Sequence, residues 1–114
     1  ISLDKVLPVV RTLLSERGEV IALIKPQFEA GKERVGKNGV VRDPAVHEDV
    51  IRQVLAVAKA QAFHPEGLTF SPVKGPKGNI EYLLYLKVQG DGEQRVDEAS
   101  VHAVVAEAHR TLDE

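Results

Sequence analysis

The sequence predicts an α/β chain with elements in the order α-β-α-β-β-α, carrying a three-stranded mixed sheet with helices on both faces. Three observations lead there. Apolar residues recur at helical spacing in three stretches. Three short apolar runs rich in β-branched, leucine and aromatic residues lie between and after them. The connections also differ in kind. A helix separates the first two runs, which makes those strands parallel with a right-handed crossover. Only a short loop separates the last two, which makes them antiparallel.

The elements follow in order. Ser2 to Ser15 places Leu3, Val6, Leu7, Val10, Leu13 and Leu14 on one helical stripe, with Ser2 as cap, Pro8 near the first turn and Gly18 as the stop. Val20 to Ile24 is short and continuously apolar, the mark of a strand buried on both faces. Pro26 to Arg42 is a polar loop of seventeen residues punctuated by Gly31, Gly36 and Gly39. Asp43 and Pro44 cap and start a second helix that buries Val46, Val50, Ile51, Val54, Leu55 and Ala58. His64-Pro65-Glu66-Gly67 reads as a turn. Leu68 to Val73 reads as the second strand, Lys74 to Asn79 (KGPKGN) as a tight loop, and Ile80 to Val88 as the third strand. Asp97 to Leu112 is the last helix, with Val101, Val104, Val105, Ala108 and Leu112 on one side.

Bulk composition narrows the function classes. A chain of 114 residues suits one domain. There is no cysteine, so disulfide and thiolate chemistry are excluded. No apolar run reaches the ~20 residues of a membrane helix, and no signal peptide is visible, so a cytoplasmic protein without membrane contact is expected. The chain begins with Ile1, not Met, and is expected to be a piece of a longer protein. Net charge is −2, but it is unevenly spread. Lys25 to Arg42 holds five basic and two acidic residues, whereas Gln89 to Glu114 holds two basic and seven acidic ones. Such asymmetry suits either an anion-binding face or two solvated surfaces.

Topology gathers some of these charges. Sites in open α/β sheets collect at the carboxyl ends of the parallel strands. Lys25 ends the first strand, KGPKGN follows the second, and the third starts beside it with Glu81 as its second residue. The long basic loop leaves from the same rim. With the third strand beside the first, Lys25 and Glu81 come within salt-bridge reach. The pair then either satisfies two charges at the top of a sheet or holds an amine for proton handling. Lys32, Arg34, Lys37, Arg42, Lys74 and Lys77 suit phosphates, and the glycines allow close backbone approach. His47, His64, His102 and His109 lack zinc spacing, so no metal site is expected. Ser71 and Ser100 belong to no His/Asp motif, and GPKGN lacks the glycine spacing of a P-loop.

The segments IALIKPQFEAGKERVGKNGVVRDP and SPVKGPKGNIEYLLYL resemble the TlyA-like proteins, many of them labelled hemolysin A, which are similar to FtsJ/RrmJ-type ribosomal RNA methyltransferases. The resemblance runs from ISLDKVLP to YLLYL, about three-quarters of the chain. It implies a Rossmann-like methyltransferase fold, here only in part. It implies transfer of a methyl group from S-adenosylmethionine to a ribose 2′-hydroxyl of ribosomal RNA. The family's Lys-Asp-Lys-Glu tetrad maps its second lysine onto Lys25 and its glutamate onto Glu81. The first lysine and the aspartate have no counterpart here. The family's strand order also sets the Glu81 strand beside the Lys25 strand.

By that resemblance residues 1–114 are the C-terminal part of one FtsJ-like methyltransferase domain, without the S4 RNA-binding domain and the glycine-rich half that holds the cofactor. The piece alone is expected to be inactive. Its partner is expected to be ribosomal RNA or a ribosomal subunit, with self-association through an exposed sheet edge. Two alternatives stay beside this reading: a membrane-lytic hemolysin, and a non-catalytic RNA-binding fragment.

Overall fold

The computed structural model describes residues 2–112. Helix α1 is Leu3–Leu13, strand β1 Glu19–Ile24, helix α2 Pro26–Glu29, helix α3 Pro44–Ala60, strand β2 His64–Phe70, strand β3 Tyr82–Lys87 and helix α4 Glu98–Leu112. The sheet order is β1-β3-β2. β1 and β2 run parallel, as their helical crossover requires, and β3 lies between them. Every hydrogen-bonded ladder is therefore antiparallel, with Ile24 opposite Tyr82 on one side and Phe70 opposite Tyr82 on the other.

The core lies under one face of this sheet. Ala22, Ile24, Tyr82, Leu84 and Leu86 point into it and meet Val50, Ile51, Val54, Leu55 and Ala58 of α3 and Val101, Val105 and Ala108 of α4. Each such side chain removed from water contributes roughly 1.5–3 kcal/mol if aliphatic and large. α3 packs on α4 and on α1, and both α3 and α4 reach β2. The helices expected on both faces thus gather on one. The opposite face carries Ile21 and Leu23, 62% and 41% exposed, beside the half-buried Leu83 and Tyr85. β1 alternates between exposed and buried positions and is not buried on both faces as its apolar run suggested. A single helical layer can cover only one side of a pleated strand.

Several boundaries move for local reasons. α1 ends at Leu13, before Gly18, and Pro8 lies inside it rather than in its first turn. Ser2 occupies the cap position without a side-chain cap bond. Glu29 takes that role, its carboxylate accepting the Leu3 N–H at 3.0 Å. Burial raises the Glu29 pKa above its ordinary value, against the lowering effect of that N–H. His64 to Gly67 is not a turn but the start of β2, with a bulge between Pro65 and Gly67. Proline is admissible there because β2 is an edge strand. β2 stops at Phe70, and Ser71 closes a turn by donating its hydroxyl to the Val73 carbonyl at 2.8 Å. Asp43 caps α3 as expected, accepting the Ala45 N–H at 2.9 Å.

Candidate active site

β1 and β3 set the site. Ile24 opposite Tyr82 is the last pair of their ladder, and Lys25 and Glu81 are the next residue on each chain. The expected adjacency of the two strands is present. Glu81 is 7% exposed, a depth at which a carboxylate needs partners. Its Oε2 accepts from Gln27 Nε2 at 3.1 Å. Its backbone carbonyl accepts the Ser71 N–H at 2.8 Å. The carboxylate lies against Gly75, where a Cβ would stand 2.2 Å from Oε2. Only glycine leaves that space.

Lys25 does not pair with this carboxylate: no ion pair within 4.0 Å joins the two among the described residues. Its Nζ stands instead 5.4 Å from the centre of the Phe28 ring, within range of a cation–π contact. The kink at Lys25 explains the placement. Lys25 is the extended cap residue of α2, Pro26 starts that helix, and Phe28 follows one turn later, 61% exposed. The apolar strand therefore ends in a helical turn that brings Lys25, Gln27 and Phe28 together. An open depression of about 480 Å³ adjoins it, lined by Gln27, Phe28, Gly31, Lys32 and Val35.

The seventeen-residue loop is folded, not structureless. α2 is followed by short 3-10 turns at Lys32–Arg34 and Lys37–Gly39. KGPKGN forms a third at Pro76–Gly78. Asn79 joins the two basic segments from inside. It is 2% exposed, accepts the Val41 N–H at 3.0 Å, and donates to the Gly39 and Pro76 carbonyls at 3.0 and 3.1 Å. His47 of α3, fully buried, braces the same region. Its Nε2 donates to the Val41 carbonyl at 2.8 Å, which leaves Nδ1 to accept from the Tyr82 hydroxyl at 2.8 Å.

Of the six proposed phosphate contacts, Lys32, Lys37, Arg42, Lys74 and Lys77 are exposed. Arg34 is engaged with Asp49 of α3 at 2.7 Å, and the Arg34 guanidinium holds the Asp49 carboxyl below its ordinary pKa. Sequence reasoning missed Gln27, Gly75, Asn79 and His47. Gln27 lies inside the KPQFE run already singled out, so a partner for Glu81 was within sight. The other three carry no local signal: Asn79 and His47 bond groups 35 to 40 positions away, and Gly75 acts through a missing side chain.

Comparison with known proteins identifies the family. Residues 1–88 match the model of the FtsJ-like methyltransferases. The chain is 50% identical over 116 residues to "Putative rRNA methyltransferase YqxC" of Bacillus subtilis, covering 100% of this chain and 41% of that protein. It is 43% identical over 112 residues to the 16S/23S rRNA (cytidine-2′-O)-methyltransferase TlyA of Mycobacterium tuberculosis, covering 94% of this chain and 41% of that one. The solved structure titled "Putative hemolysin from Streptococcus thermophilus" superposes with a TM-score of 0.88 at 45% identity, covering 97% of this chain and 40% of that chain. The chain thus spans about two fifths of the length of these relatives. With the family model covering more than three quarters of the sequence, the chain belongs to the FtsJ-like methyltransferase family.

Proposed function

We propose that this chain is the C-terminal part of an S-adenosylmethionine-dependent ribosomal RNA ribose 2′-O-methyltransferase acting in the cytoplasm, with Lys25 and Glu81 at the 2′-hydroxyl. The observation that carries it is the buried Glu81 carboxylate, fixed by Gln27 and by the missing side chain of Gly75, one register step from the end of the Lys25 strand. A ribose hydroxyl is a weak nucleophile until its proton is removed or strongly polarised. A fixed carboxylate beside a mobile amine can orient that proton and accept it, help worth ~10²–10⁴ in rate. In this reading Lys25 leaves the Phe28 face and turns toward Glu81 when RNA arrives. The exposed Lys32, Lys37, Arg42, Lys74 and Lys77 hold the backbone, and Arg34 contributes only after releasing Asp49.

The cofactor supplies the methyl group. The described residues do not fit as its holder: the glycine turns close on themselves along the basic rim, and no strand–glycine loop–helix cradle occurs among them. Its binding is assigned to the remainder of a longer protein, and the isolated chain is expected to be inactive. Full-length protein carrying Lys25→Ala or Glu81→Gln is expected to lose ~10²-fold or more of its methyl transfer to ribosomal RNA. Turnover near wild type in both would sink the assignment.

The isolated chain is also expected to self-associate. β1 is an edge strand, and the apolar Ile21 and Leu23 stand exposed on its open face. A monomer in light scattering at high concentration overturns this. Among the described residues no helix is long and apolar enough to cross a membrane.

A further inference from the structure

Two glycine turns, 39 positions apart in sequence, share one construction. In Gly36-Lys37-Asn38-Gly39 the Gly36 N–H donates to the Val40 carbonyl at 2.9 Å and the Gly39 N–H to the Gly36 carbonyl at 3.2 Å. In Gly75-Pro76-Lys77-Gly78 the Gly75 N–H donates to the Asn79 carbonyl at 2.8 Å and the Gly78 N–H to the Gly75 carbonyl at 3.1 Å. The third and fourth residues of both are left-handed: Asn38 and Gly39 at φ 66° and 73°, Lys77 and Gly78 at φ 62° and 86°.

Asparagine and glycine accept that conformation readily, whereas lysine does not. A strained lysine at position 77 calls for a use of its side chain. Lys77 reaches back over the other turn, so that a Cβ on Gly39 would stand 3.3 Å from its Nζ. Lys37 is exposed on that same turn, and neither turn contains an acidic residue. Asn79 fastens the pair with one buried carboxamide, which donates to Gly39 of the first turn and Pro76 of the second.

Building on the RNA reading above, we infer that Asn79 is a positioning residue: it locks the two turns into a single preorganised grip on an RNA ribose–phosphate backbone, with Lys37 and Lys77 as its two cationic contacts. Glycine turns admit a phosphate close to the main chain, and lysine meets it as a point charge. A G-x-x-G turn clamps RNA backbone in the same manner in KH domains. The grip lies beside the reacting centre, because Gly75 of the second turn abuts the Glu81 carboxylate. Preorganisation matters because two mobile lysines would lose freedom on binding, whereas two lysines on joined turns have less to lose.

The test measures binding of full-length protein to purified ribosomal RNA by filter retention across a salt series. Each lysine–phosphate contact adds roughly 0.7–0.9 to the slope of log affinity against log salt. Asn79→Ala is expected to lower that slope by between one and two units and to weaken binding about tenfold. The Lys37→Ala/Lys77→Ala double variant is expected to match it, and combining all three changes to add almost nothing. Gly39→Ala, which strains the left-handed backbone of the first turn and presses on Lys77 without touching Asn79, is expected to reproduce the effect. Lys59→Ala, near the end of α3 beside His64 and so at the opposite end of the sheet, is expected to leave the slope unchanged. An unchanged slope in folded Asn79→Ala and Gly39→Ala, or an undiminished penalty for lysine removal in the Asn79→Ala background, overturns the grip. The expected slopes from a wild-type protein that transfers no methyl group would support the grip and overturn the methyltransferase reading.

Discussion

Where β3 begins, three polar side chains are buried: Glu81, Asn79 and His47. Glu81 has Gln27, Asn79 has three backbone groups, and His47 has a tyrosine and a carbonyl. Where β3 runs out, the polar contacts lie in water. Arg95 pairs with Asp91 at 2.5 Å and Glu66 at 3.0 Å, with its side chain 41% exposed. The Arg95 guanidinium holds the Asp91 carboxyl far below the ordinary carboxylate range, yet an exposed pair of this kind adds little to stability. The buried end cannot rearrange without leaving a polar group unpaired, and each such group costs about 1–3 kcal/mol. The exposed end can exchange each partner for water. Fixed geometry is therefore found at one end of the sheet only, the end with Lys25.

Substitutions can break this contrast. The largest effect on activity is expected from Gly75→Ala. Its backbone, φ −77° and ψ −167°, accepts alanine, so the sole obstacle is the Glu81 carboxylate 2.2 Å from the new Cβ. A displacement of about an ångström at a reacting group costs on the order of 10²-fold in rate. Methyl transfer by full-length protein is expected to fall by that factor, with the thermal midpoint nearly unmoved. Retained activity would mean that the carboxylate position is not critical.

The largest effect on stability is expected from His47→Ala. It removes the imidazole to which the Tyr82 hydroxyl and the Val41 carbonyl are bonded and opens a cavity, for a loss of ~2–4 kcal/mol in urea unfolding. A loss below the range of surface changes would count against the bracing role. At the other end, Arg95→Ala is expected to shift neither the unfolding midpoint nor the activity. A clear drop in either would show that the exposed cluster is as tightly organised as the buried one.

Much of this was legible in the sequence, and the reasons differ by residue. Strand directions followed from connection lengths, and Lys25 announced itself as a charge at the end of an apolar run. Glu81 was visible for the mirror-image reason, a charge at the start of one. Which way a residue faces was less legible: Ile21 and Leu23 look like core, but no helix covers their side. His64 to Gly67 looks like a turn because proline and glycine mark both turns and bulged edge strands. Asn79, Gly75 and His47 stayed silent because hydrogen bonds across 38, 40 or 35 positions, and the absence of a side chain, leave no periodic trace.

Val41 shows what this bracing does to a segment without regular structure. It belongs to no helix or strand, yet it is 3% exposed, its N–H held by Asn79 and its carbonyl by His47. Amide exchange with solvent requires an opening that frees the N–H, and here the residue is tied to the core by a carboxamide on one side and an imidazole on the other. The Val41 amide is therefore expected to exchange as slowly as those of β3, although no helix or strand contains it.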